Sequence, residues 1–361
     1  MNNIQTVNEY VPDYLVTPGE VLKEYLENAG LTQVSLAERT GLSKKTINEI
    51  VKAKSAITAE TALKLERTLG RPARFWSNLE RQYQEDKTRL ADKIRLEKYL
   101  HWLDFFPVSE MAKLGWIEKI KNKTQQLAAL LQYFSVASPE RWETIWTREL
   151  QTAFRKKISS PKDMAVISAW LRHGEIIVQE QNCAHPVGAA KFDRQKFKNS
   201  LAEIRKLTTE CSEIFVPKLQ SICAAAGVVV VFIPALPKLG TYGATRRFND
   251  KYIMQLSLYG KTNDELWFTI FHEAFHIIND PRGENHTEEE ADVFSQNLLI
   301  PPDKLVHFLS ANSKPSLQQI EKFAANIGIA PGIVVGRLQH DGVLPRNTGN
   351  ALKERYEWVK R

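Results

Sequence analysis

The sequence predicts a multidomain chain: an all-α N-terminal domain, a helical connector, and a C-terminal α+β domain with a small sheet. Three observations predict it. Short apolar stripes of helical period, separated by stop signals such as Gly30, Gly41 and Gly70, fill residues 17 to 84. A helical period punctuated by Pro107, Pro139, Pro161, Pro186 and Pro217 continues to about residue 226. At Gly227 the texture changes to the β-branched run Val228-Val229-Val230-Val231-Phe232-Ile233, bounded by Pro234. A chain of 361 residues has room for two or three modules with their own cores, which excludes a small disulfide scaffold.

The elements follow in order. Thr17-Pro18-Gly19-Glu20 supplies an N-cap, a proline in the first turn and an acidic residue, and the stripe Val21, Leu22, Tyr25 and Leu26 ends at Gly30. Thr32 to Thr40 repeats the pattern until Gly41. Ser43 caps a helix from Lys44 to Val51 with Ile47 and Ile50 facing inward. Thr58 starts another through Leu69, and Pro72 a fifth toward Gln84. Residues 85 to 226 are helical by period, rich in tryptophan, and free of any chemistry-bearing motif, as expected of a connector or sensing region. After the first strand, Gly240 to Phe248 and Lys251 to Leu258 flank Asn249-Asp250, the turn of a hairpin. Helices then span Asp264 to Ile278, Thr287 to Leu299, Ser316 to Ile327 and Ile333 to Leu338.

The net charge of +7 is concentrated in the middle of the chain: residues 1 to 90 carry +1, residues 91 to 227 carry +6, and residues 228 to 361 balance. This permits an acidic partner without identifying one. No apolar run approaches the length of a membrane span, and Met1 to Glu9 lack the features of a secretory signal, so a cytoplasmic protein is expected. Cys183, Cys211 and Cys223 form no CxxC pair and read as packing residues.

Two helices joined at Gly41 have the spacing of a helix-turn-helix that reads double-stranded DNA. Ala37 lets the helices approach, and Ile47 and Ile50 anchor the second. Its outward face offers Ser43, Lys44, Lys45, Thr46 and Asn48 to base edges, while Gln33, Lys52 and Lys54 are placed for phosphates. A helical bundle with a solvated charged face would show the same pattern. Thr32-Gln33, Leu36-Ala37, Gly41-Leu42-Ser43 and Ile47 with Ile50 resemble the XRE family of Cro and lambda-repressor-like proteins. Thr17-Pro18-Gly19-Glu20 and the run Ile57 to Trp76, with Leu69-Gly70-Arg71-Pro72 and Phe75-Trp76, resemble its HigA antitoxin branch. The resemblance covers residues 12–84 and implies a DNA-binding domain that works as a homodimer on palindromic operators; a toxin partner remains open.

His272-Glu273-Ala274-Phe275-His276 is an HExxH string on a predicted helix. Positions i and i+4 share a face, so both imidazoles can address one Zn2+, with Glu273 beside them to accept a proton from water. A core histidine and a surface histidine would satisfy the same string. A third ligand is expected from Glu288-Glu289-Glu290-Ala291-Asp292 at the start of the next helix. Helical geometry favours Glu288, with Asp292 one turn later to hydrogen-bond a histidine ligand, whereas Glu289 and Glu290 rotate away and suit an acidic first turn.

This segment resembles the ImmA/IrrE zinc metallopeptidases through Phe271 to His276, Glu288 with Ala291-Asp292 and Phe294, Leu298-Leu299-Ile300-Pro301, and Gly336-Arg337. The resemblance spans residues 200–345, leaving 85–199 as the connector. It implies a zincin-like domain with His272, His276 and Glu288 as metal ligands and Glu273 as general base. Ser295 departs from the alanine that often follows the phenylalanine. Tyr242, His286 and His307 are the candidates for an oxyanion donor. The small residues of Gly240-Thr241-Tyr242-Gly243-Ala244 would let a substrate backbone lie alongside that strand.

Together these features lead to the expectation of a DNA-binding transcriptional regulator carrying a zinc endopeptidase that cleaves a repressor, an antitoxin or itself. The alternative is a HigA-like antitoxin or repressor whose zinc domain serves sensing or structure. Neither involves a membrane.

Overall fold

The computed structural model describes residues 15–153, 160–184, 190–279 and 287–359. The chain divides after Leu100 into two compact units.

Among the described residues the first unit contains five α-helices: α1 (Pro18–Asn28), α2 (Gln33–Thr40), α3 (Lys44–Val51), α4 (Ala59–Leu69) and α5 (Ala73–Glu97). Thr17, Thr32, Ser43 and Thr58 cap the first four, each hydroxyl accepting the backbone N–H three residues on. Gly41 ends α2 with a φ of 69°, a left-handed turn that side-chain-bearing residues rarely adopt. The turned helices enclose one core, in which Leu22, Leu36, Ile47, Leu65 and Trp76 are fully buried. Helix α5 runs well past Gln84 because residues 84 to 97 hold neither glycine nor proline, and good helix formers such as Gln, Glu, Lys, Arg, Leu and Ala predominate.

The second unit opens with a helical layer of α6 (Val108–Lys113), α7 (Lys123–Tyr133), α8 (Pro139–Ala153) and α9 (Pro161–Ala184). Then follow α10 (Arg194–Lys206), α11 (Ser212–Ala225), β1 (Val228–Phe232), β2 (Gly243–Phe248) and β3 (Lys251–Leu256). Five helices complete it: α12 (Asn263–Ile278), α13 (Glu288–Leu299), α14 (Pro302–Ala311), α15 (Leu317–Ile327) and α16 (Pro331–His340).

The three strands lie in the order β1-β3-β2, with β1 parallel and β2 antiparallel to β3. Phe248 pairs with Lys251 across a turn in which Asn249 has a φ of 59°. The side chains of Tyr252, Met254 and Leu256 enter the main core with Val228 and Val230, Trp267 and Phe271 of α12, and Val334 of α16. On α9, Trp170 donates its indole N–H to the Ile233 carbonyl at 3.2 Å, and the Gln255 amide donates to the Trp170 carbonyl at 2.7 Å. Residues 161–184, expected in a connector, therefore pack directly on the sheet.

Cys223 is buried, and burial pushes its thiol up to about 12. Cys211, expected to pack, is exposed just before α11. The side chain of Cys183, residues 12–14 and His286 lie outside the described residues. Among those described, no helix is long and apolar enough to cross a membrane.

Candidate metal centre and nucleic-acid interface

Helix α12 carries the HExxH residues because its other faces are apolar. Leu266, Trp267, Ile270, Phe271, Ala274 and Ile277 are buried, which fixes the orientation of the intervening polar positions. His272 and His276 bring their Nε2 atoms within 3.1 Å of each other. Glu288, the first residue of α13, places Oε2 3.3 Å from His272 Nε2 and 4.0 Å from His276 Nε2. Four ligands at zinc bond lengths of about 2.0 to 2.2 Å stand roughly 3.3 to 3.6 Å apart in a tetrahedron, so the triangle fits such an ion with modest adjustment. The Glu288 side chain is 66% exposed, which leaves the solvent side open for a fourth ligand.

Asp292 accepts from His272 Nδ1 at 2.8 Å. A proton on Nδ1 leaves the Nε2 lone pair for a metal, so this contact selects the ligating tautomer. Glu290 is otherwise engaged: its carboxylate accepts the Thr287 N–H at 2.8 Å while its own N–H donates to the Thr287 hydroxyl, completing a capping box. Glu289 borders an apolar groove with Phe275, Val293 and Phe294. Ser295, the departure noted in the sequence, is buried and donates to the Phe268 carbonyl at 2.7 Å, a bond that ties α13 to α12.

Glu273 is only 7% exposed. Its carboxylate lies against the start of β2, where a Cβ on Gly243 would stand 3.0 Å from Oε1 and 2.7 Å from Thr269 Cγ2. The absence of a side chain at Gly243 makes room for Glu273. Thr245, on the same face of β2, donates to the Glu273 carbonyl at 3.5 Å. Strand β2 pairs only with β3 among the described strands, so its outer edge is unpaired there.

Of the oxyanion candidates, Tyr242 is exposed and packs edge-on with Tyr259. Burial, reinforced by Glu265, raises its pKa. His307 is exposed on α14, outside the His272, His276 and Glu288 cluster. One contact unread in the sequence fixes the start of α12: Lys353 Nζ meets Asp264 Oδ2 at 2.6 Å, both side chains at most 14% exposed. No spacing rule links residues so far apart.

In the first unit, Lys44, Lys45, Asn48, Lys52 and Lys54 are exposed, while Gln33 and Thr46 are half-buried. Lys45 also pairs with Glu49 at 3.8 Å. The Ser43 hydroxyl accepts the Thr46 N–H at 3.0 Å and shares a hydrogen bond with the Thr46 hydroxyl at 2.8 Å, so capping occupies two candidate base-reading groups.

Two helices at a glycine turn, buried on one side and basic on the other, define a helix-turn-helix module. The helix-turn-helix family profile matches residues 22–76. Virulence-associated protein I of Dichelobacter nodosus is 44% identical over 69 residues, 19% of this chain and 64% of that one. Antitoxin HigA-1 of Vibrio cholerae serotype O1 is 38% identical over 66 residues, 18% of this chain and 62% of that one. Virulence-associated protein A of Dichelobacter nodosus is 37% identical over 82 residues, 22% of this chain and 80% of that one. Through its N-terminal module the chain belongs to the XRE-type helix-turn-helix family, with HigA-type antitoxins among its homologues. It spans somewhat less than two thirds of the first two relatives.

Proposed function

We propose that the protein is a DNA-binding transcriptional regulator carrying a zinc-dependent endopeptidase, with a repressor or antitoxin-like protein as substrate. The observation that carries the enzymatic half is the convergence of His272, His276 and Glu288 beside the buried Glu273. The helix-turn-helix match and the exposed basic face of α3 support the DNA-binding half.

In this reading His272, His276 and Glu288 hold the ion, and Asp292 keeps His272 in the tautomer that can ligate. When bound, a zinc ion would supply a water of pKa about 7 and a Lewis acid for the scissile carbonyl. Glu273, shielded by Gly243 and Thr269, takes the proton from the attacking water and returns it to the leaving amine. The unpaired edge of β2 offers backbone groups to an extended substrate.

Elemental analysis on the wild type and on His276→Ala tests the centre. About one zinc per chain, lost in the variant, upholds it; a folded, metal-replete protein without zinc refutes it. Glu273→Gln should retain zinc and abolish cleavage. Retained zinc with a regulatory phenotype unchanged in Glu273→Gln would favour the second reading, a HigA-like repressor or antitoxin with a toxin partner and a non-proteolytic zinc domain, which the similarity to Antitoxin HigA-1 supports. On double-stranded operator DNA, replacing Lys44 and Thr46 should relax sequence preference by about 1–3 kcal/mol per base contact, whereas Lys52→Ala should weaken all sequences and lower the salt slope by about one. Equal losses on every sequence from all three would reject α3 as the recognition helix. Sedimentation on operator DNA would test the homodimer.

A further inference from the structure

Helices α7 to α9 carry no motif, yet they hold a set of buried charges that reaches β2. The Glu175 carboxylate receives Arg172 Nη1 on one oxygen and Arg246 Nη1 on the other, each at 2.6 Å. All three side chains are at most 15% exposed. Arg172 is fixed in turn to the end of α7, donating to the Tyr133 carbonyl at 2.9 Å and the Ser135 hydroxyl at 2.8 Å. Arg246 belongs to β2; it also donates to the Leu171 carbonyl at 2.5 Å and lies 5.9 Å from the Trp146 ring centroid on α8.

Alternation along β2 gives these contacts their meaning. Gly243 and Thr245 face α12, where they meet the side chain and the carbonyl of Glu273. Arg246, on the opposite face, meets α9. An edge strand has one strand neighbour to set its position, and here, beside the contacts with α12, a further constraint comes from ion pairs with the helical layer.

We infer that Glu175 is a positioning residue: gripping Arg172 and Arg246 together, it lets the α7–α9 layer set the place of β2 and thereby the walls around Glu273. This rests on the peptidase reading for its catalytic consequence, although the placement of β2 does not depend on it. Glu175 is the weak point of the set because it is the carboxylate shared by two guanidinium groups. Without its charge they face each other across a buried gap, where like charges repel with little screening.

The test compares full-length wild type, Glu175→Gln, Arg246→Met and Glu175→Asp by three readouts. These are hydrogen exchange at the β2 amides in metal-free protein, zinc content, and kcat and KM on fluorescein-labelled casein. Both Glu175→Gln and Arg246→Met should speed β2 exchange about tenfold or more while zinc content stays at one per chain. Casein cleavage should lose kcat by about tenfold or more with KM little changed, and Glu175→Asp, which keeps the charge, should recover most of both. Unchanged β2 exchange in Glu175→Gln and Arg246→Met overturns the inference, as does faster exchange with undiminished kcat. A wild type that binds zinc but leaves casein intact counts against a broad-specificity peptidase, and faster β2 exchange would then still uphold the grip on the strand. If Glu175→Gln fails to fold, Arg246→Met, which leaves Arg172 and Glu175 paired, decides.

Discussion

Two pairs of helices carry the candidate functions, and they are built on opposite plans. Helices α2 and α3 are joined by a short turn at Gly41, capped by their own side chains, and display their polar residues outward over an apolar core. Helices α12 and α13 are stitched together by side chains from separate segments: Asp292 to His272, Ser295 to the Phe268 carbonyl, and Glu288 across to both histidines. In the first pair the recognition face can change with little effect on folding. In the second, ligand geometry and fold stability share residues, so a substitution seldom affects one alone.

The sharpest break of this comparison lies at the start of α12. Lys353→Met leaves the Asp264 carboxylate buried beside Gly336 without its cation, a defect that typically costs about 3–5 kcal/mol. Thermal melts of the full chain should show that loss in one transition, with the transition of the helix-turn-helix unit unmoved. Adding Asp264→Asn should restore much of the stability. A shift of both transitions together would show that the units do not melt independently.

Protonation probes the helical layer. His173 is stacked on Trp116 with ring centroids 4.2 Å apart, and burial pushes its pKa from 6.5 down to about 4. The folded protein therefore binds this proton less readily than the unfolded chain. Stability is complete above pH 6.5 and falls as the pH drops from there toward 4, by at most about 3 kcal/mol. Urea melts across that range should show a shallower pH dependence for His173→Phe, which keeps the stack and removes the titration. Parallel curves for the two proteins would contradict a buried neutral imidazole.

Gly243→Val examines the boundary between β2 and α12 from the other side. Its methyl groups must displace Thr269 or Glu273, and overpacking of this kind costs about 1–3 kcal/mol. Zinc content should stay unchanged while casein cleavage falls. Full cleavage with a displaced β2 would remove the role given to that strand.

The helix-turn-helix unit is legible because each of its signals acts over a few residues. A hydroxyl binds an N–H three positions on, a glycine turns one residue, and Ile47 with Ile50 marks one buried face. Within the candidate metal centre, the i, i+4 spacing of His272 and His276 is likewise a property of a single helix, whereas Glu288 joins them only through the packing of α13 on α12. Chance composition could never announce that Glu175 on α9 would grip Arg246 on β2, or that Lys353 would close on Asp264, since those pairings arise only when distant segments pack. The run of α5 beyond Gln84 is less legible, because Leu90 and Ile94 face solvent rather than a core and no glycine or proline marks where the helix ends.

The smallest expected effect tests the local plan itself. Thr32 caps α2 by accepting the Ser35 N–H at 3.1 Å, at a site where its side chain is exposed. Thr32→Ala should cost about 1 kcal/mol and Thr32→Ser almost nothing, because the hydroxyl and not the methyl does the capping. The loss should fall only in the transition of the first unit and leave zinc content untouched. A measurable change in zinc binding would mean that a defect confined to one capped turn reaches the second unit, and the contrast between a locally built helix pair and a remotely stitched one would no longer hold.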